Sequence, residues 1–115
     1  MPIALERLKT RSQFLAVAAT RRKWASAGLV LQARPRADGT AHIGIGFTAT
    51  KKIGSAVVRN RARRRLKEAA RLTLAGKGTA GWDYVAVARA ATPDIPFAHL
   101  LADFEAAIAR VARTP

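Results

Sequence analysis

The chain has 115 residues, half of them apolar, no cysteine, and a formal net charge of +14 from 21 basic and 7 acidic residues. This length predicts one domain with one buried core; the lack of cysteine excludes disulfides and thiolate metal sites, and no apolar run reaches the roughly 18 residues that span a membrane. Because so large a positive excess opposes compaction unless a polyanion binds it, we expect a nucleic-acid partner and no membrane. The first residues lack the 7–15-residue apolar stretch of a secretory signal peptide, and the lack of cysteine suits a reducing compartment, so we expect a cytoplasmic location.

Local patterns predict three elements in the first half of the chain. Thr10 and Gln13 form a capping-box pattern in front of a helix over residues 11–23. A strand over residues 28–35 and a second strand over residues 41–52 follow, separated by an Asp-Gly turn. The pattern therefore predicts a helix followed by a hairpin-like pair of strands.

Three further elements are predicted in the second half. Ser55 is a predicted N-cap of a basic helix that continues to about Leu74. After a glycine-rich loop comes a strand over residues 83–90, and after the break at residues 92–96 comes an amphipathic helix. The order helix, strand, strand, helix, strand, helix predicts an α/β (α+β) two-layer sandwich that forms one domain over residues 1–115.

The strand over residues 41–52 alternates between large apolar and small residues. One face carries Ile43, Ile45, Phe47 and Ala49, and the other carries Gly44, Gly46, Thr48 and Thr50. The first face is typical of a strand that packs on a core. We expect the second face, which lacks large side chains, to be flat and open.

The basic helix, "AVVRNRARRRLKEAARL" over residues 56–72, combines an apolar stripe with a dense set of cations. At about 100° per residue, one stripe faces the sheet, and it consists of Val58, Ala62, Leu66 and Ala69. The opposite side carries Asn60, Arg63, Arg64, Lys67 and Arg71, flanked at its edges by Arg59, Arg61 and Arg65. Three readings are open: a solvated surface, a membrane-surface helix and a phosphate-binding surface. The phosphate-binding surface is favoured because solvated faces normally mix both signs and the stripe lacks bulky membrane anchors.

At this helix the sequence resembles a known family. "KKIGSAVVRNRARRRLKEAAR", residues 51–71, closely resembles the signature of the bacterial ribonuclease P protein family. "RLKTRSQF", "GLVLQARP", "IGIGFTATKKIG" and "DYVAVAR" are similar to further segments of that family, so the resemblance covers most of residues 7–89. The last helix matches the family only in its amphipathic character.

The resemblance implies a fold and a function. The family fold is a small α/β sandwich similar to the second domain of a ribosomal small-subunit protein, with a left-handed βαβ crossover that breaks the usual right-handed rule. Its members bind a catalytic RNA and, with it, remove the 5′ leader of precursor tRNA by phosphodiester hydrolysis. The chemistry and the required Mg²⁺ belong to the RNA, so we expect no catalytic residue, metal site or other cofactor in the protein.

The resemblance also implies roles for individual residues. The family motif that meets the catalytic RNA matches Arg59, Asn60 and Arg61, and the basic positions after it match Arg63, Arg64, Lys67 and Arg71. The positions beside the single-stranded leader match Phe14, Lys51, Lys52 and Arg89. The chain departs from the pattern at Ala18 and Gln32, where the family frequently has aromatic residues, so we expect a thinner stacking wall in the leader cleft. Helical spacing alone would make Phe14 a core residue, and the resemblance favours the cleft.

Two other functions remain open at this point. One is a ribosomal or RNA-packaging protein that only binds RNA, and the other is a DNA-binding regulator. The regulator is disfavoured because the helix offers Asn60 and otherwise only cations for reading base edges. No DNA partner is therefore expected. The two histidines and seven acids form no catalytic or metal-binding spacing.

Overall fold

The computed structural model describes residues 3–113, which form one five-stranded sheet and three α-helices. In chain order the elements are β1 (Leu5–Arg7), α1 (Arg11–Ala19), β2 (Lys23–Ala25), β3 (Leu29–Pro35), β4 (Ile43–Thr48), a short 3-10 helix (Lys51–Ile53), α2 (Ala56–Lys77), β5 (Trp82–Ala88) and α3 (Phe97–Arg113). The α/β sandwich and the order of its six predicted elements are confirmed. The two additional elements, β1 and β2, are three-residue strands.

The first helix is shorter than predicted. The capping box at Thr10 and Gln13 is present, but α1 ends at Ala19 rather than at residue 23. Arg21 has a φ of 57°, which a right-handed helix cannot contain, and the residues after it pair with β3 as the antiparallel strand β2. Hydrogen bonding to the sheet therefore replaces the last predicted helical turn.

The strands are arranged in the order β1-β4-β5-β3-β2. β1 and β5 both run parallel to β4, and β3 runs antiparallel to β5 and to β2. The central strands β4 and β5 are joined through α2 in a βαβ crossover, for which the resemblance predicts the left-handed form. Since β4 and β5 are parallel and adjacent, their carboxyl ends lie at the same edge of the sheet.

The main core lies between the sheet and the pair α2 and α3. Ile43, Ile45 and Tyr84 project from β4 and β5 into this core and are almost completely buried. Leu66 of α2 and Phe104 of α3 cover them. The apolar face predicted for β4 is therefore confirmed.

The other face of the sheet is partly covered by α1. The prediction that the small-residue face of β4 is open is therefore wrong at the two glycines. Gly44 and Gly46 are buried. A Cβ atom added at Gly46 would lie 2.5 Å from the Phe14 ring, and one at Gly44 would lie 2.1 Å from Asp83. Their missing side chains allow α1 and Asp83 to lie directly on the strand.

No helix within residues 3–113 is long and apolar enough to cross a membrane.

Candidate nucleic-acid interface

The basic helix α2 is fixed to the body of the protein by its apolar stripe. Ser55 accepts a hydrogen bond from the Val58 amide and begins the helix as predicted. Ala62, Leu66 and Ala69 are fully buried, and burial continues through Ala70, Thr73 and Leu74. Because the buried stripe holds the helix in one orientation, the cations on its outer side have fixed positions relative to the sheet.

The cations on the outer side of α2 differ in how they are paired. Arg61 donates to the Asp94 carboxylate at 2.8 Å, and Arg71 is paired with Glu68. The hydrogen bond between Arg71 and Glu68 lowers the pKa of Glu68 and raises that of Arg71. Arg64 and Lys67 are exposed and have no hydrogen-bond or ion-pair partner within residues 3–113. These two side chains are therefore available to bind an anion without first leaving a carboxylate.

Asn60 and Arg63 form a pair on the same outer side. Arg63 donates to the side-chain oxygen of Asn60, which is three residues earlier in the helix. Together with Val57, Arg64 and Lys67 they line an open concavity of about 490 Å³. The predicted RNA-binding positions Asn60, Arg63, Arg64 and Lys67 are thus brought together on one surface.

Two other arginines of α2 bond to the protein's own backbone. Arg59 donates to the carbonyl of Gly54 at 3.2 Å, which ties the helix to the turn before it. Gly54 has a φ of 140°, a value that favours glycine. Arg65 donates to the carbonyls of Pro93 and Ile95 in the segment between β5 and α3. Arg59 therefore has a structural contact in addition to its predicted RNA-binding role, and Arg65 is mainly a structural residue.

The basic residues predicted to lie beside the leader gather at one edge of the sheet. Lys51 and Lys52 follow β4, and Arg89 follows the parallel strand β5. All three are exposed, and Arg89 donates to the carbonyl of Ser26 at 2.7 Å. The first turn of α2 begins at the same edge, because α2 follows the short 3-10 helix that contains Lys51 and Lys52.

Phe14 lies between α1 and the sheet, next to this edge. Its ring packs on Gly46 and joins a small cluster with Leu8, Val17 and Val85, yet it remains half-buried. Phe14 is therefore both a packing residue and a surface residue.

A partly exposed row of the sheet lies beside the Phe14 ring. The strand register places Thr48 opposite Val87 and Val87 opposite Val30, all half-buried and on the face that α1 covers. This row and Phe14 therefore lie on the same face of the sheet, and Arg89 follows the end of β5 two residues after Val87. Ala18 is exposed, and Gln32 is half-buried in the adjacent row.

Arg7 is a cation of the same surface that the sequence patterns did not single out. Its guanidinium lies 5.0 Å from the centre of the Phe47 ring. With Lys67, Arg71 and four apolar residues it lines a groove of about 180 Å³ beside α2. In the sequence, the only indication of the position of Arg7 is that it lies in the short segment before α1. The parallel pairing with β4, which places Arg7 on this surface, is not visible in the sequence.

A second polar cluster lies at the other end of the sheet. Arg36 donates to Asp83 at 2.9 Å and to Asp38 at 3.0 Å. Burial lowers the pKa of Arg36, but the hydrogen bonds and the negative charges of the two carboxylates together raise it above its ordinary value. His42 contacts Glu6 at 3.1 Å. Within residues 3–113, no group of three or more His, Cys, Asp or Glu side chains is arranged to hold a metal ion.

Comparison with known proteins assigns the chain to a family. The model of the family described as Ribonuclease P matches residues 4–112. The chain belongs to the ribonuclease P protein family. Its relatives include the ribonuclease P protein component of Paramagnetospirillum magneticum, which is 50% identical over 115 residues, 96% of this chain and 86% of that protein. The corresponding protein of Ruegeria pomeroyi is 48% identical over 106 residues, 90% of this chain and 84% of that protein.

Solved structures of this tRNA-processing family have the same fold. The ribonuclease P protein of Thermotoga maritima matches with a TM-score of 0.76 at 21% identity, over 96% of this chain and 99% of that one. The ribonuclease P protein of Staphylococcus aureus matches with a TM-score of 0.74 at 20% identity, over 93% and 94% of the two chains. The predicted family and its α/β fold are therefore confirmed. The roles of individual residues stay predictions.

Proposed function

We propose that this chain is the protein subunit of ribonuclease P and that it binds the catalytic RNA through the outer side of α2. The observation that carries the proposal is the surface formed by Asn60, Arg63, Arg64 and Lys67, in which Arg64 and Lys67 have no acidic partner within the described part of the chain. Arginine pairs with phosphate through two parallel hydrogen bonds, and each neutralised phosphate releases counterions. RNA binding would thus offset the repulsion among these cations.

The precursor tRNA leader would lie in a cleft along the partly exposed row beside Phe14. A base could stack on the half-buried ring without sequence preference, while Lys51, Lys52 and Arg89, at the carboxyl ends of the adjacent strands β4 and β5, would contact phosphates. Because Ala18 and Gln32 replace aromatic residues that are frequent in the family, the contribution of these three cations to leader affinity would be larger than usual.

In this proposal the protein positions the substrate and the RNA carries out the hydrolysis. The RNA and its Mg²⁺ would activate the water and stabilise the charge that develops at the scissile phosphate. The protein would contribute affinity for the leader. A cytoplasmic location follows from this role.

The test is cleavage of a precursor tRNA at low Mg²⁺ by the purified chain and the matching catalytic RNA. We expect release of the 5′ leader when both components are present and none with protein alone. A variant with Arg63→Ala, Arg64→Ala and Lys67→Ala should bind the RNA far more weakly. The single variants Arg64→Ala and Arg113→Ala each remove one exposed cation, and only Arg64→Ala should weaken binding, since Arg113 lies in the last turn of α3.

A further variant tests the assignment of the leader-binding site. Phe14→Leu should weaken binding of precursor tRNA but not of mature tRNA, because only the precursor has a leader to stack. Failure of the chain to stimulate cleavage, combined with tight binding to ribosomal RNA, would instead support a ribosomal RNA-binding protein.

A further inference from the structure

A groove separates α2 from the first turn of α3. It has a volume of about 330 Å³ and is lined by Arg61, Arg64, Arg65, Glu68 and Phe97. This volume is at the lower end of the range of about 300–1,000 Å³ that is typical of small-ligand sites. One wall is therefore the cationic side of α2 and the other is an aromatic ring.

The aromatic wall is held in place by Arg65. The guanidinium of Arg65 lies 5.9 Å from the centre of the Phe97 ring, and its terminal nitrogens are bonded to the carbonyls of Pro93 and Ile95. Its Nε is buried and has no hydrogen-bond partner within residues 3–113. These contacts fix the loop and the ring relative to α2, so the groove is formed before any ligand binds.

The rim of the groove carries the charges. Arg64 has no partner within residues 3–113, and Arg61 is held by Asp94, which is exposed. Glu68 lies further along α2 and is paired with Arg71. The lining therefore combines the exposed part of the half-buried Phe97 ring with cations and with one carboxylate that can accept a hydrogen bond from a base amino group.

We propose that this groove binds one unpaired nucleotide of the catalytic RNA, with its base on Phe97 and its flanking phosphates on Arg61 and Arg64. The inference rests on the function proposed above and adds a specific site to it. Stacking on an aromatic ring and pairing with arginine together match a nucleotide that has left a helix. An acidic peptide would use the arginines but not the aromatic wall.

The site is tested by measuring RNA affinity over a range of salt concentrations for Phe97→Leu, Phe97→Tyr and Arg64→Ala. The Phe97→Leu variant should bind the RNA about tenfold more weakly because it loses the stacking contact. The salt dependence of its binding should be unchanged, because no phosphate contact is lost. Phe97→Tyr retains the ring and should bind as the wild type. Arg64→Ala should weaken binding and reduce the slope of log K against log salt by about 0.7–0.9.

Trp24→Leu is the matched control. Trp24 is also a partly exposed aromatic residue with an arginine, Arg110, over its ring at 4.9 Å, but it lies on β2 at the far edge of the sheet. This variant should bind the RNA normally. Thermal melting of each variant checks that it is folded, and base-specific chemical probing should find an unpaired nucleotide that the wild type and Phe97→Tyr protect and Phe97→Leu does not.

The outcomes distinguish this site from the broader proposal. Normal RNA affinity and normal protection with Phe97→Leu, together with weakened binding by Arg64→Ala, would overturn the nucleotide site but leave the RNA-binding role of α2 intact. Competition for the groove by an oligo-aspartate peptide, with RNA affinity unaffected by Phe97→Leu, would also overturn it and would assign the groove to a protein partner. Absence of RNA binding by the wild type would contradict the proposed function itself.

Discussion

Arg64 and Arg65 are consecutive residues of the same helix, yet their surroundings give them different roles. Arg64 is exposed and has no hydrogen-bond partner within residues 3–113, whereas the terminal nitrogens of Arg65 are bonded to two backbone carbonyls about thirty residues later in the chain. A guanidinium bonded in this way satisfies carbonyls that would otherwise lack donors. An arginine on this helix therefore cannot be assigned to RNA binding from its residue type alone.

Measurements of stability and of RNA affinity should distinguish the roles of Arg64 and Arg65. Arg65→Ala leaves the carbonyls of Pro93 and Ile95 without these donors, so we expect the free energy of unfolding to fall by about 2 kcal/mol, as measured by denaturant titration. Arg64→Ala should leave stability unchanged or slightly raised while weakening RNA binding. Equal stability losses in the two variants would contradict the structural assignment of Arg65.

Asp38 provides a prediction about pH. Hydrogen bonds from the Thr40 hydroxyl at 2.7 Å and the Thr40 amide at 3.1 Å, with a further one from Arg36, lower the pKa of Asp38 from 3.8 to about 2. A lowered carboxyl pKa means that this contribution to stability is present above about pH 4 and is lost as the pH falls toward 2.

Thr40→Val should therefore raise the midpoint of the Asp38 carboxyl titration toward its ordinary value, as measured by carbon NMR. Thr40→Ser keeps the hydroxyl and is the matched control, so its midpoint should stay near the wild-type value. An unchanged midpoint in Thr40→Val would show that the hydroxyl is not the main cause of the low pKa.

At the scale of elements, the position of α1 depends on the absence of side chains in β4. Phe14 fits over Gly46 because there is no Cβ atom between the ring and the strand. The same contact forms one side of the proposed leader cleft. A change at Gly46 therefore affects both the stability of the α1 layer and the shape of the cleft.

Gly46→Ala should lower the free energy of unfolding by about 1–3 kcal/mol, which is typical of overpacked sites. In a double-mutant cycle, Phe14→Leu should relieve part of the loss because it removes the ring that the new methyl group meets. Gly76→Ala is the control, since Gly76 lies in α2 and a Cβ atom added there would have no neighbouring atom within 4 Å, and alanine favours helix there by about 0.5–1 kcal/mol. Equal effects of the two alanines would contradict the close packing of α1.

Elements with strong local patterns were predictable, and the short ones were not. Ser55 and the apolar period of α2 define that helix because capping and helical spacing depend on neighbouring residues. β1 and β2 have three residues each, too few for an alternation to be recognised, and they exist because β4 and β3 offer free edges for hydrogen bonding. The same long-range pairing explains why Arg7 was missed as a member of the basic surface.

At the scale of the whole molecule, positive charge is both a destabilising feature and the main basis of the proposed function. The seven acidic residues balance only seven of the 21 basic residues, which leaves a net charge of +14. Nine of the basic residues lie within residues 51–71. Repulsion among them opposes folding in the absence of a polyanion. Bound RNA should relieve that repulsion and stabilise the folded protein.

Screening by salt should therefore stabilise the free protein. Raising NaCl from about 0.1 M to about 1 M shortens the Debye length from about 10 Å to about 3 Å, and we expect the melting temperature to rise. The double variant Arg64→Ala/Lys67→Ala should melt higher than the wild type at low salt and gain less from added salt. A melting temperature that falls as salt rises would show that ion pairs, rather than repulsion, dominate the electrostatics.

The sequence by itself determined the family, the α/β class, the main helices and strands and the cationic character of α2, because these depend on local spacing, capping and composition. The tertiary structure decided which cations of α2 remain without a partner, since the Asp94 carboxylate and the Pro93 and Ile95 carbonyls reach α2 only through folding. It also closed the glycine face of β4 beneath Phe14 and formed the groove beside Phe97. Each of these features depends on contacts between residues far apart in the chain, whose geometry a one-dimensional pattern does not contain.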